Sequence, residues 1–117
     1  MRFRVRTLNA ISPKGIERLP KDRYEVGEAV EAPDALLVRS ADMHALEIPA
    51  SVLAVGRAGA GTNNIPVAVL TQRGVPVFNA PGANANAVKE LVLAGLLLGA
   101  RHIGPALDFV RTLDLEG

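Results

Sequence analysis

The stretch from Val52 to Asn64 reads Val-Leu-Ala-Val-Gly-Arg-Ala-Gly-Ala-Gly-Thr-Asn-Asn. A short apolar run enters a glycine-rich turn, and a helix start follows. Strand, tight turn and helix in that order belong to an α/β arrangement, with the turn at the carboxyl end of a buried strand. Glycine lets the chain turn tightly and lets backbone amides approach a ligand. Arg57 adds a planar fork of donors suited to carboxylate or phosphate. The remaining segments read as scaffold for this turn, or as a second wall facing it.

Phe3, Val5 and Thr7 alternate with Arg2, Arg4 and Arg6. A period of two predicts a strand with one wet face, or an edge strand. Ser12-Pro13 reads as an N-cap followed by Pro at the first helical position, which predicts a short helix over 13–19 that ends near Pro20. Residues 24–26 make a weak second strand. Residues 35–38 form a continuous apolar run after Pro33-Asp34, as a buried parallel strand does. Residues 43–51 show no clear period, and Pro49 argues against a long helix there. The next strand is expected over 52–55, a helix over 65–73 with Gly74 just past its end, and a last strand over 75–78. Asn84 or Asn86 can cap a long helix that runs to about His102. Gly104-Pro105 breaks or kinks it, and 106–113 is a further helical piece. Short strands alternating with helices predict an α/β fold. Five strands with short connections favour a flavodoxin-like parallel sheet of order 2-1-3-4-5 flanked by helices, with ligands at the carboxyl ends of the strands.

Hydrophobic residues make up 49% of the 117, enough for one domain with its own core. With 3% aromatics and no Trp, that core must be built from Val, Leu, Ile and Ala. A net charge of +1 gives no broadly basic surface for nucleic acid or membrane. The absence of Cys excludes disulfides, thiolate zinc sites and cysteine nucleophiles, and it fits a cytoplasmic protein. The start of the chain lacks the apolar region of a secretory signal. The longest uncharged apolar run, from Leu91 to Ala100, is shorter than the about 20 residues of a membrane span.

Gly59-Ala60-Gly61 matches part of a dinucleotide fingerprint. Asn64 stands where its third glycine belongs, and no carboxylate follows near Val77-Phe78-Asn79-Ala80, so no complete NAD site is read here. Arg39 follows a predicted strand and can pair with Asp34 or Asp42. Alternatively, Arg39 and Arg57 frame an anion, because two cations on neighbouring strand ends repel unless one lies between them. The second reading is preferred, since both positions lie at strand ends. Asn84 is a helix cap, or a ligand donor if that cap faces the same crevice. His44 and His102 have no partner at metal-ligand spacing. From Ala87 to Ala100 the helix is apolar on nearly all sides after Lys89-Glu90. Such a helix needs cover on more than one face, from a further domain or from a second copy.

Four segments occur in order: Leu37-Val38-Arg39-Ser40-Ala41, Val55-Gly56-Arg57-Ala58-Gly59-Ala60-Gly61-Thr62-Asn63-Asn64, Val77-Phe78-Asn79-Ala80-Pro81-Gly82-Ala83-Asn84 and Lys89-Glu90-Leu91. In order and spacing they resemble the N-terminal, substrate-binding half of the D-2-hydroxyacid dehydrogenases, most nearly the phosphoglycerate branch. The resemblance implies a substrate-binding domain over 1–83, then a crossover and dimerisation helix with its tail over 84–117. It implies that Arg39 and Arg57, with Ser40 beside them, face the phosphate or carboxylate of a small phosphorylated 2-hydroxy acid. The amides of Ala58 and Gly59 would hold the carboxylate, and Asn84 would contact the substrate near an interdomain cleft. The helix from Ala87 to Ala100 would join two copies in a homodimer. The reaction implied for the parent enzyme is NAD-dependent oxidation of 3-phospho-D-glycerate to 3-phosphohydroxypyruvate, in serine biosynthesis. The family's NAD fingerprint and catalytic residues lie in a nucleotide domain beyond Gly117. This chain is therefore expected to hold neither cofactor nor catalytic residue, as a truncated, excised or rebuilt part of that enzyme. The alternative is a non-catalytic, self-associating flavodoxin-like domain that binds small anions weakly.

Overall fold

In a computed structural model that describes residues 1–113, β1 (Phe3–Leu8), β2 (Tyr24–Gly27), β3 (Ala35–Val38), β4 (Ala54–Arg57) and β5 (Val77–Phe78) form one sheet. All neighbours are parallel, in the order β2-β1-β3-β4-β5, as expected for a flavodoxin-like sheet. The helices are α1 (Pro13–Ile16), α2 (Val67–Gln72), α3 (Ala85–Ala100) and α4 (Ile103–Thr112). The chain divides into two compact units, Met1–Ala83 with the whole sheet and Asn84–Gly117 with α3 and α4. The last four residues of the expected tail lie outside the described residues.

The core of the first unit gathers Leu36, Val38, Met43, Val52, Val55, Ile65, Leu70 and Val75. Leu36 and Val38 alternate along β3, and Val55 stands opposite Leu36, so the cluster covers one side of the sheet. Leu70 brings α2 onto that side. Gly56 stands opposite Leu37, and a Cβ there would lie 2.9 Å from Leu37 Cδ2, so glycine makes room for the neighbouring strand's leucine.

The alternation of β1 is as predicted, with Val5 and Thr7 buried, but the strand is not at an edge. Its arginine side stays partly solvated, with Arg2 exposed and the Arg4 side chain 43% exposed, although neighbouring segments also bond to it. Arg6 Nε donates to the Val30 carbonyl at 2.7 Å, and the Arg4 amide donates to Asp34 Oδ2 at 2.7 Å. Segment 30–34 satisfies this row of donors and lets a basic strand sit inside the sheet.

Several boundaries differ from expectation; α2 starts at Val67 and β5 at Val77, each two residues later than expected. The first helix stops at Ile16, and i→i+3 bonds from Arg18 and Leu19 tighten the chain ahead of Pro20, before which helical backbone is disfavoured. The fourth strand starts two residues later than the apolar run, because the amides of Val52 and Leu53 donate to Pro49 and Asp34 instead. The long helix ends at Ala100, and His102 takes a left-handed conformation with φ 48°. Gly104 and Pro105 then lie in the first turn of α4. Pro105 has no amide and its ring would clash with the carbonyl of residue 101, so the break falls one turn before the proline.

Within its own unit every residue of α3 is exposed, its leucines included. No single described helix is long and apolar enough to cross a membrane; α3 and α4 reach that length and hydropathy only together, across a 54° bend.

Candidate functional site at the carboxyl ends of the strands

β1, β3 and β4 end side by side, with Leu8 opposite Val38 and Val38 opposite Arg57. Arg57 is thus the last residue of a strand rather than part of the turn. Arg39 follows β3 directly. Arg39 and Ala58 line one cavity of about 440 Å³ together with Ala10, Ile11, Ser12 and Pro13. The loop after β1 is therefore a wall of the site that sequence reasoning missed. A larger cavity of about 560 Å³ lies beside β2, lined by residues such as Ile16, Leu19 and Tyr24, away from these strand ends.

Neither arginine pairs with an acid among the described residues. Asp34 is held by Arg4, and Asp42 Oδ1 accepts from the His44 amide at 2.9 Å, so the two carboxylates near Arg39 in sequence are engaged elsewhere. Arg57 Nε is buried without a hydrogen-bond partner. An unpaired buried donor on a cation costs stability, and such groups concentrate where a ligand completes the set.

The glycine turn is tied down at both sides. Asn79 Nδ2 donates to the Ala60 carbonyl at 2.7 Å, and the Ala80 amide donates to the Gly59 carbonyl at 2.9 Å. The two amides expected to hold a carboxylate behave differently. Ala58 donates to the Val38 carbonyl at 2.8 Å, which corrects the expectation that its amide faces a ligand. This bond continues the β3–β4 ladder one residue past the strand. Gly59 donates to the Arg57 carbonyl at 2.9 Å across an i→i+2 turn, a poorer geometry that a ligand can replace.

Two asparagines complete the site. Asn9 has φ 56°, a left-handed backbone that Asn tolerates. Its Oδ1 accepts from the amides of Arg39, Ser40 and Ala41, and its Nδ2 donates to Ser40 Oγ at 2.8 Å. Asn64 Nδ2 donates to the carbonyls of Ala41 at 2.8 Å and Arg39 at 3.4 Å. Asn64 thus has a role of its own where the dinucleotide fingerprint has glycine. The one local signal for Asn9 is its position directly after the alternating strand β1. Asn84 stands at the N-cap of α3 without a side-chain cap bond, as the first residue of the second unit. Asn86 Nδ2 donates to Glu90 Oε1 at 2.9 Å one turn along.

The profile of the D-isomer specific 2-hydroxyacid dehydrogenase catalytic domain matches residues 6–109. The chain belongs to this family. It is similar to the D-3-phosphoglycerate dehydrogenase of Mycobacterium tuberculosis, with 44% identity over 90 residues, covering 74% of this chain and 17% of that protein. It is also similar to the hydroxypyruvate reductase of Thermotoga maritima, with 38% identity over 93 residues, 77% of this chain and 30% of the relative. The chain therefore spans less than a third of these relatives. Among solved structures, an NADPH-dependent glyoxylate/hydroxypyruvate reductase from Sinorhizobium meliloti matches the whole chain and 44% of its own length, with a TM-score of 0.72 and 23% identity. The 3-phosphoglycerate dehydrogenase of Entamoeba histolytica matches 85% of this chain and 39% of its own length, with a TM-score of 0.66 and 23% identity. These two likenesses concern the fold. The family match spans both strand-end arginines, Arg39 and Arg57.

Proposed function

We propose that this chain is the substrate-binding part of an NAD-dependent dehydrogenase that oxidises 3-phospho-D-glycerate. The observation that carries the reading is the pair of arginines at adjacent strand ends, neither matched by an acid, with Arg57 Nε buried and unpartnered. A phosphorylated hydroxy acid brings two anionic groups, and two guanidinium forks suit them. The similarity to D-3-phosphoglycerate dehydrogenases supports phosphoglycerate as the substrate.

In this proposal Arg39 and Arg57 bind the phosphate and the carboxylate, with Ser40 beside them. The Gly59 amide opens its i→i+2 bond to add a donor, and Ala58 serves as cavity wall rather than as donor. NAD, bound in the whole enzyme, would supply the hydride acceptor for the carbinol carbon. These residues supply anion binding and orientation; the base and the dinucleotide site belong to the remainder of the enzyme. NMR titration of the chain with 3-phosphoglycerate is expected to shift the amides of Arg39, Arg57 and Gly59. No shift at millimolar ligand would count against the reading, and NADH formation by the pure chain would count against its non-catalytic role.

The exposed leucines of α3 favour a second proposal, a homodimer formed through that helix. A helix apolar on nearly all sides after Lys89-Glu90 presents more contiguous apolar surface than a monomer normally tolerates, and a symmetric pairing covers it with the same surface of a second copy.

A further inference from the structure

We infer that Asn9 is a positioning residue, which holds the Arg39-Ser40-Ala41 loop in the shape that presents Arg39 to an anion. The inference rests on the anion-binding reading above. Arg39, Ser40 and Ala41 direct consecutive amides at one point, with N···O distances of 3.2, 3.4 and 3.4 Å to Asn9 Oδ1. Consecutive amides that converge in this way form an anion-binding concavity. Here the side chain of Asn9 already fills it, so the loop amides are satisfied within the protein. What the loop has left for a ligand is the Arg39 side chain, exposed and without an acidic partner among the described residues.

The opposite edge of the loop is held by Asn64, through the carbonyls of Arg39 and Ala41. With donors fixed on one side and acceptors on the other, the loop backbone has little freedom left. The loop backbone fixes the point and direction from which the Arg39 side chain departs, and the guanidinium has no tie of its own among the described residues. The residue type at position 9 is constrained twice. It must accept a left-handed backbone, and it must carry an acceptor short enough to turn back onto the next strand's loop. Asn and Asp meet both conditions, Gly meets only the first, and Ala meets neither without strain.

The test compares the full chain with Asn9→Gly and Asn9→Asp. Gly keeps the backbone conformation and deletes the acceptor. Asn9→Gly is expected to speed hydrogen exchange at the amides of Arg39, Ser40 and Ala41, while amides inside β3 and β4 stay protected. The dissociation constant for 3-phosphoglycerate, measured well below the unfolding temperature, should weaken about tenfold, as ordering a loop residue at binding time costs on that scale. Asn9→Asp, which retains the acceptor, should restore the protection. A merely structural role would lower the unfolding midpoint and leave the dissociation constant as in the wild type, and that result overturns the inference. Failure of Asn9→Asp to restore protection overturns it too. If the wild-type chain itself shows no response to 3-phosphoglycerate or inorganic phosphate, the anion reading falls and the positioning role with it. A wild-type response that Asn9→Gly leaves unchanged removes the positioning role alone.

Discussion

Arg57 folds its guanidinium over Gly59: a Cβ on residue 59 would overlap Arg57 Nη1 and stand 2.8 Å from its Cζ. The same two residues are joined by the Gly59 amide and the Arg57 carbonyl. The glycine therefore does more than permit a turn. Its missing side chain is the space in which the cation lies.

Gly59→Ala should accordingly displace the Arg57 guanidinium. The obstructed atoms are the far end of a flexible side chain, so the fold should persist, while the positive φ of 157° at this position strains any side chain and should lower the unfolding midpoint. Loss of a charged hydrogen bond costs about 1.5–3 kcal/mol, which is about tenfold or more in affinity. NMR titration with 3-phosphoglycerate checks the first effect and urea unfolding the second. Unchanged affinity would show that the placement of Arg57 has no bearing on anion binding.

Arg39→Gln removes the exposed member of the pair. We expect roughly tenfold weaker binding at low salt, with less difference between the two proteins as ionic strength rises. Because the residue is exposed and makes no ion pair among the described residues, its stability effect should stay within about 0.5 kcal/mol. Titrations at two salt concentrations separate a charge effect from a change of shape.

Leu36 is fully buried in the centre of the sheet, between Arg6 of β1 and Val55 of β4. Leu36→Ala should destabilise the first unit by about 2–5 kcal/mol, a large part of the roughly 5–15 kcal/mol available to a domain. The denaturation midpoint of the sheet should fall accordingly. A shift under about 1 kcal/mol would mean that the site collapses around the smaller side chain.

On α3, Leu97→Glu places a charge on an exposed apolar helix. If two copies pair through this helix, light scattering should show a dimer for the wild type and a shift to monomer for the variant. The sheet should unfold at the same midpoint in both, because the substitution lies outside the first unit. A wild-type chain that runs as a clean monomer would remove the proposed dimer.

The parallel sheet and its strand order were legible because the signals are local. Apolar runs of four residues, Pro and Gly punctuation and the glycine turn each act within a few positions. The same locality explains the errors. The apolar run beginning at Val52 suggested a strand there, yet pairing with β3 begins at Ala54, and Val52 and Leu53 are bonded elsewhere. What alternation along β1 could not show is that segment 30–34 supplies acceptors for Arg4 and Arg6 on that half-exposed face.

By itself the sequence determined the fold class, the five-strand order and the gathering of Arg39, Arg57 and Gly59 at one sheet edge, because spacing along the chain decides which residues follow strands. Tertiary structure alone decided what those groups face. It sent the Ala58 amide to Val38, and it brought Asn9 and Asn64, far apart in sequence, to the two edges of one loop. Hydrogen bonds of that kind depend on which strands lie side by side and in what register, and these are set only when the sheet assembles.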